Sequence, residues 1–260
     1  MINKELVKEL YETGLNGREV SKIIGCGSTS VFRILRKLKS NRPNKIRDFI
    51  LKDRAKKCDD FNVNFLNLLD GLILSDGCIP KPIGVSNSCF YVQNCVNLEW
   101  LEIIKSEFDV NNIICNITTE KRKKKKKNIS YVFRSFKYDK FYDLRKRWYP
   151  DEIKIVPKDI DLSNEIVLKN WLYGDGTIIG NSTLRFCTDD FVLDDVEFLK
   201  CKLNDIFNLH FKIIKFGKNK KNVQKYRLSI CKRDGFFQFF EYIGECNVNC
   251  FDYKWRKKSE

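Results

Sequence analysis

Two aspartates stand in equivalent places of the sequence, each at the end of an apolar run and each followed by glycine. Asp76 ends the run that begins at Leu69, and Asp175 ends the run that begins at Leu168. Each run is long enough for two to three helical turns, and the glycine is where such a helix would stop. A carboxylate in the last turn is unfavourable, because the C-terminal end of the helix dipole is itself negative. We therefore expect Asp76 and Asp175 to converge on a bound divalent metal.

The composition limits the rest of the chemistry. The chain has 260 residues, of which 43% are apolar, and this is typical of a globular protein with a sizeable core. Its net charge of +15 and its pI near 9.3 favour a polyanionic partner, with nucleic acid well ahead of a membrane. The one histidine, His210, lies between two apolar residues and argues against nucleases and hydrolases that depend on imidazole.

The sequence also indicates a cellular setting. The 11 cysteines are an odd number and are scattered, so we interpret them as buried thiols in a reducing compartment. No apolar run approaches the roughly 18 to 20 residues that cross a bilayer, and the N-terminus has no apolar signal segment. We expect an intracellular protein with no membrane partner, in the compartment of the DNA on which it acts.

The elements around the aspartates begin with three predicted helices, over residues 4–13, 18–24 and 28–39, with Ser28 as a cap and Ile23 in a small core. The glycine turn at residues 25–27 is typical of a helix-turn-helix, and residues 19–35 resemble those of resolvases. In that case bases and phosphates would be contacted by Thr29, Ser30, Arg33, Arg36 and Lys37. The alternative is a helical subdomain docked on the core. Residues 41–60 are interpreted as a basic linker that follows a phosphate backbone, or as a merely solvated face.

From residue 61 onward the same order of predicted helices and strands occurs twice, which indicates an internal duplication over residues 61–158 and 159–260. In the first copy, strands are predicted at residues 78–85 and 89–93. Helices are predicted at residues 97–108, 140–148, 194–207 and 235–243. The hairpins of the two copies turn through lysine-rich stretches at residues 121–128 and 217–222.

The sequence resembles a single-chain, two-motif member of the LAGLIDADG homing endonucleases. The residues that carry this resemblance are the two Asp-Gly runs and the segments 147–150, 154–158 and 252–255. The resemblance covers about residues 58–260. It implies an α+β fold of two pseudo-symmetric αββαββα repeats that form a DNA-binding saddle, here preceded by the small all-α helix-turn-helix domain of residues 1–40. The motif helices would pack side by side on the pseudo-twofold axis. At the hairpin tips, phosphates would be contacted by Lys123, Lys125, Lys220 and Lys221, which could equally lie in solvated loops.

The resemblance also implies hydrolysis of one phosphodiester in each DNA strand, with Mg²⁺ or another divalent cation as cofactor. The implied metal ligands are the carboxylates of Asp76 and Asp175, helped by the carbonyls of Ser75 and Gly174. Water polarisation or charge stabilisation is assigned to Lys137 and Lys232. Gln93 is assigned to water positioning, and its counterpart in the second copy would be Thr188 or Asp189.

Two departures from the family pattern concern the motif helices. Close helix packing needs small residues, which the first copy supplies as Gly71 and Ser75, whereas the second copy has Asn170 in the place of Gly71. We therefore expect asymmetric packing at the axis. The first copy also has Asp70 where the family has a small residue, and we interpret this aspartate as a surface or cap residue.

Other functions remain open at this point. An RNA maturase could use the same fold to assist intron splicing, which would make intron RNA a partner besides double-stranded DNA. A non-cleaving DNA-binding regulator is the third possibility, although a pure binder has no reason to keep two carboxylates against DNA. An intein is disfavoured, because the chain has no nucleophile at its start and no His-Asn at its end. We expect a monomer, since one chain carries both motifs.

Overall fold

The computed structural model describes residues 2–38, 40, 58–82, 86–121, 129–180, 182–218, 222–230 and 233–255. The chain divides into two compact units. One contains the N-terminal helices, with the short stretch Pro82–Ser88 grouped with it, and the other contains residues 57–81 and 89–260. Within the described residues, no helix is both long enough and apolar enough to cross a membrane.

The N-terminal unit contains the three predicted helices, which are α1 (Lys4–Glu12), α2 (Gly17–Ile24) and α3 (Ser28–Lys37). They enclose a core of Val7, Val20, Val31 and Leu35. α2 begins with a capping box, in which the Asn16 side chain accepts from the backbone N–H of Glu19 and the Glu19 side chain accepts from the N–H of Asn16. It ends at Gly25, whose φ of 69° is a left-handed conformation that glycine adopts readily.

Two details of this unit were predicted wrongly. Ile23 is 59% exposed, because it lies on the face of α2 that turns away from the other two helices. Ser28 is the first residue of α3 and not its cap; Gly27 takes the cap position, and no side chain bonds to the helix end there. The three helices and the glycine turn are as predicted, whereas binding of DNA by this unit stays a prediction.

The second unit begins with the first repeat. Its elements are α4 (Val63–Leu74), β1 (Val92–Cys95), α5 (Leu98–Val110), β2 (Cys115–Lys121), β3 (Ile129–Ser135) and α6 (Asp139–Trp148). The strands form an antiparallel sheet in the order β1-β3-β2. The prediction of a strand over residues 78–85 was wrong for its described part, in which only Cys78 pairs, with Val92. Pro80 and Pro82 interrupt this stretch, and proline cannot donate to a sheet ladder.

The second repeat follows the same plan. Its elements are α7 (Glu165–Asp175), β4 (Gly176–Ile179), β5 (Thr183–Cys187), α8 (Leu193–Phe207), β6 (Lys212–Lys218), β7 (Gln224–Ile230) and α9 (Arg233–Ile243). The strands form an antiparallel sheet in the order β4-β5-β7-β6. The four helices predicted after the motif runs agree with α5, α6, α8 and α9 within two residues at each end. The α+β fold of two repeats with one antiparallel sheet each is thereby confirmed.

The motif helices α4 and α7 pack directly against each other. A Cβ atom on Gly71 would lie 2.5 Å from the carbonyl oxygen of Val167 and 2.8 Å from the Cβ of Asn170. A Cβ on Gly174 would lie 2.4 Å from the Cβ of Ser75. The close approach therefore depends on one glycine from each helix, at different levels. This is the expected asymmetry, because Gly71 faces Asn170 whereas Ser75 faces Gly174.

Asp70 has a different place from the one predicted. It is only 3% exposed, so it is neither a surface residue nor a cap. Its carboxylate accepts hydrogen bonds from Arg147 (2.6 Å) and from the indole Nε1 of Trp148 (2.9 Å). A buried carboxylate needs such partners, because an isolated one would be strongly destabilising. Asp70 therefore fastens α4 to α6, away from the end of the helix.

Candidate active site

Asp76 and Asp175 line one cavity at the C-terminal ends of the two motif helices. The cavity measures about 540 Å³. Besides the two aspartates, its charged lining residues are Lys154, Asp189, Asp190 and Arg227. The structure thus brings together the two carboxylates that are 99 positions apart in the sequence. It adds four charged residues to which the sequence analysis gave no firm role.

The chain reaches the two carboxylates in slightly different ways. Asp175 is the last residue of α7, and Gly176 follows it as the C-cap. Asp76 lies two residues beyond the end of α4, so its predicted place in the last turn was wrong. A side chain at the next residue, Gly77, would clash with the ring of Tyr91, since its Cβ would lie 2.3 Å from the Tyr91 hydroxyl. The glycine after Asp76 is therefore required by close packing of the sheet.

The environment raises the pKa of both carboxyls. Burial is the largest cause for Asp175, followed by the charge of Asp76, and together they raise its pKa to about 7. Burial also raises the pKa of Asp76, although the nearby charges of Lys254 and Lys154 oppose the shift. Both carboxylates are ionised less readily than in water, and a bound cation would relieve this.

Two lysines hold the ends of the motif helices. Lys154 Nζ donates to the carbonyl oxygen of Ser75 (3.3 Å). Lys254 Nζ donates to those of Leu172 (3.0 Å), Tyr173 (2.6 Å) and Gly174 (3.5 Å). Positive charge is favourable at a helix C-terminus. Burial lowers the pKa of both lysines, while Asp76 and Asp175 oppose this shift.

These roles were not predicted from the sequence, although Lys154 and Lys254 lie in the segments that support the family resemblance. The sequence contains one signal for them, because the two lysines occupy similar positions in the two repeats. Each lysine follows the last helix of its own repeat, Lys154 after α6 and Lys254 after α9. Because each lysine returns to the motif helix of its own repeat, the pair shares the pseudo-symmetry of the two aspartates.

Asp189 is tied into ion pairs on the second sheet. It accepts two hydrogen bonds from Arg227 (2.9 Å each) and one from Lys225 (3.1 Å). These donors lower the pKa of the Asp189 carboxyl, so it stays ionised. Thr188, the other predicted counterpart of Gln93, donates to the carbonyl of Tyr226. Neither Thr188 nor Asp189 therefore has the hydrogen-bonding environment of Gln93, which accepts from the Tyr91 hydroxyl.

Two other predicted catalytic residues, Gln93 and Lys137, do not line this cavity. Gln93 is 2% exposed and accepts a hydrogen bond from the Tyr91 hydroxyl, so its side chain lies in the core beneath β1. Its assignment to water positioning stays a prediction that this burial does not favour. Lys137 lines a separate cavity of about 570 Å³, on the first sheet beside Arg134 and Asn116. Its role in catalysis also stays a prediction.

The predicted DNA contacts divide into two groups. On α3, Thr29, Arg33, Arg36 and Lys37 are exposed, and Ser30 is half-buried. The predicted hairpin contacts lie outside the residues that the structure describes, namely Lys123, Lys125, Lys220 and Lys221. The same holds for Lys232, which was predicted to be catalytic.

The oxygen atoms at the cavity suit a hard cation. Among the described residues, no three His, Cys, Asp or Glu side chains are grouped to hold a metal by themselves. Mg²⁺ does not require this, since it usually takes one or two carboxylates and completes its shell with phosphate oxygens and water. Cys78 and Cys187 also line the cavity, but burial raises the pKa of both thiols, so they stay neutral and are poor ligands. The predicted carbonyl ligands of Ser75 and Gly174 both accept from lysines.

This arrangement of two repeats is the fold of the LAGLIDADG endonucleases. The structure of the homing endonuclease I-WcaI bound to its DNA recognition sequence superposes with a TM-score of 0.61 at 22% identity, over 86% of this chain and 98% of that one. The model of the LAGLIDADG DNA endonuclease family matches residues 66–236. The chain therefore belongs to this family, which confirms the resemblance read from the motifs. The match does not include the N-terminal unit.

Two curated relatives extend the comparison. An uncharacterized protein of Methanocaldococcus jannaschii is 30% identical over 213 residues, which make up 78% of this chain and 78% of the relative. The cytochrome b mRNA maturase bI2 of Saccharomyces cerevisiae is 29% identical over 186 residues. That match covers 66% of this chain but only 43% of the yeast protein.

Proposed function

We propose that this protein is a site-specific DNA endonuclease that makes a double-strand break with Mg²⁺ or another divalent cation. The observation that carries the proposal is the pair Asp76 and Asp175, which share one cavity at the ends of two closely packed helices, each beside a lysine that bonds to the helix end. Each aspartate with its neighbouring lysine forms one half of the site. Two such halves related by pseudo-twofold symmetry suit double-stranded DNA, whose two strands are antiparallel. Homing of its own coding element is the biological role that we infer.

The residues have separate tasks in this proposal. Asp76 and Asp175 hold the cation, which when bound supplies Lewis-acid stabilisation and an activated water. Lys154 and Lys254 keep the two helix ends in place and set a positive charge beside the carboxylates. That charge favours the ionised carboxylates and the binding of a phosphate in the cavity. The scissile phosphodiester takes up water, and its P–O bond to the leaving sugar breaks.

The exposed face of the first sheet is the proposed DNA-reading surface. Arg134 on β3 pairs in register with Asn116 on β2, and both are exposed. Arginine fits the hydrogen-bonding edge of guanine, and asparagine that of adenine. Together with the net charge of +15, these side chains favour a duplex DNA partner.

The experiment that tests this function uses the uninterrupted form of the host locus as substrate. The wild-type protein is expected to cut both strands in the presence of Mg²⁺ and to bind without cutting in EDTA. Specific binding with no cleavage in any divalent cation would contradict the endonuclease and favour the regulator.

An intron RNA maturase is the second candidate. The similarity to the yeast maturase favours it, and intron RNA would then be a further partner. A splicing assay on the host intron distinguishes the two functions. Intron excision that depends on the protein and is unchanged by Asp175→Asn would favour the maturase.

For the N-terminal unit we propose DNA binding through α3, in line with its exposed Thr29, Arg33, Arg36 and Lys37. Arg33→Ala in the full-length protein is expected to weaken DNA binding by about tenfold, since one base contact contributes roughly 1–3 kcal/mol. The control is Lys4→Ala, which removes the same charge from the exposed surface of α1. Titrations of labelled DNA at two salt concentrations measure both. Equal effects of the two variants would mean that α3 contributes charge alone.

A further inference from the structure

The chain after α9 crosses the end of the second motif helix and is held there by a residue of the first repeat. Glu99, in the first turn of α5, accepts hydrogen bonds from the backbone N–H groups of Asn249 (3.0 Å) and Cys250 (3.1 Å), one to each carboxylate oxygen. These two residues begin a short 3₁₀ turn, Asn249–Lys254. Hydrogen bonds to an ionised acceptor are about twice as strong as neutral ones.

Lys254 ends this 3₁₀ turn. Its side chain is only 6% exposed, and its ammonium group bonds to three carbonyls at the end of α7, directly before Asp175. The two residues that Glu99 holds lie only five and four positions before Lys254 in the same continuous turn. Glu99 therefore contacts the same short turn that carries an ammonium group to the end of α7.

Aromatic rings also pack the 3₁₀ turn against α7, but they fix its position less precisely than the hydrogen bonds to Glu99 do. The ring of Tyr173 stacks on Phe251 and on Trp255, with both centroid distances 5.2 Å. Trp100, next to Glu99, packs against Tyr173 at 4.9 Å. Stacked rings tolerate offsets, whereas two hydrogen bonds from successive backbone N–H groups allow one register only.

We propose that Glu99 is a positioning residue, which fixes the 3₁₀ turn and thereby holds Lys254 beside Asp175. The centre in the second repeat then depends on a side chain from the first. Lys154 also meets the other repeat, because its ammonium group lies 4.9 Å from the centroid of the Phe191 ring, but this contact is made by its own side chain and not by a turn that carries it. The role in cleavage rests on the proposed endonuclease function, whereas the positioning of Lys254 does not.

The first test measures positioning without any activity. The native full-length protein is treated briefly with an amine-acetylating reagent, and the modification of each lysine is followed by mass spectrometry. Glu99→Ala is expected to raise the acetylation rate of Lys254 at least tenfold, because the loss of even one charge-assisted hydrogen bond corresponds to about a factor of ten, and to leave that of Lys154 unchanged. The control is Glu102→Ala, on the exposed face of the same helix. An unchanged rate at Lys254, or a parallel rise at Lys154 that signals general loosening, would overturn the proposal.

The second test measures coupling in DNA cleavage. Glu99→Ala and Lys254→Met are each expected to slow single-turnover cleavage, and the double variant is expected to be no slower than Lys254→Met alone. Independent, multiplying effects would overturn the role of Glu99 in cleavage and leave the endonuclease function standing. Absence of cleavage by the wild type would instead refute the proposed function, and the acetylation result would still decide the positioning.

Discussion

Asp175→Asn and Asp76→Asn are each expected to reduce Mg²⁺-dependent cleavage by at least about a thousandfold. A catalytic metal contributes several kcal/mol to the transition state, and each 1.4 kcal/mol corresponds to about tenfold in rate. Each substitution removes one of the two carboxylates that share the cavity. An asparagine side chain retains a neutral oxygen of similar size, so the packing of α4 against α7 is preserved. Specific DNA binding measured in EDTA should therefore change by less than about threefold, because no metal contributes there.

The control for charge is Asp205→Asn, which removes a carboxylate from the exposed surface of α8. It is expected to leave both cleavage and binding unchanged. The rate is best measured under single-turnover conditions, with each DNA strand labelled separately. Undiminished double-strand cleavage by either cavity variant would refute the assignment of the aspartate pair.

Without metal, Asp175→Asn is expected to stabilise the second unit at pH 8. The pKa of the folded Asp175 carboxyl is raised to about 7 from 3.8, chiefly by burial and then by the charge of Asp76. Between these pH values the folded protein holds a proton that the unfolded chain has released, so the wild type loses stability as the pH rises from about 4 to about 7. A shift of this size would amount to about 4 kcal/mol if fully realised. Since the side chain is half-buried and partly screened, we expect about 2 kcal/mol.

The advantage of the variant should therefore be small at pH 4, grow up to pH 7 and stay constant above it. All four tryptophans lie between residues 100 and 255, so their fluorescence during urea unfolding reports on the second unit alone. Adding Mg²⁺ at pH 8 should stabilise the wild type more than the variant, because the cation binds the folded carboxylates. An advantage of the same size at pH 4 and pH 8 would mean that the pKa of Asp175 is not raised in the folded protein.

Much of the site and the fold could be predicted from local patterns. The aspartates at the ends of two apolar runs, the glycines after them and the duplicated order of helices and strands are all features of short sequence windows. Helix boundaries were predicted within two residues after the motif runs, because apolar periodicity and end signals act within a few turns. The convergence of Asp76 and Asp175 followed from the duplication, since equivalent positions of two paired repeats meet near the pseudo-twofold axis.

Other assignments depended on contacts between residues far apart in the chain. Asp70 looked like a surface residue until Arg147 and Trp148 were found beside it, 77 and 78 positions away. Gln93 was assigned to water positioning because the family often has a polar residue there, whereas its side chain is buried and accepts a hydrogen bond from Tyr91. Which face of a short strand is buried depends on the sheet and helices packed around it, and a window of four residues does not specify this.

The sequence by itself determined the two carboxylates, the repeat and the basic charge, because these are properties of residue type and spacing. Only the tertiary structure decided what surrounds the carboxylates. Lys154 and Lys254 reach back about 80 residues to the helix ends, and Glu99 crosses 150 residues to hold the 3₁₀ turn that carries Lys254. A buried ammonium or carboxylate is stable only where partners meet it in space. Such partners depend on the packing of the whole chain, so no fixed spacing in the sequence predicts them.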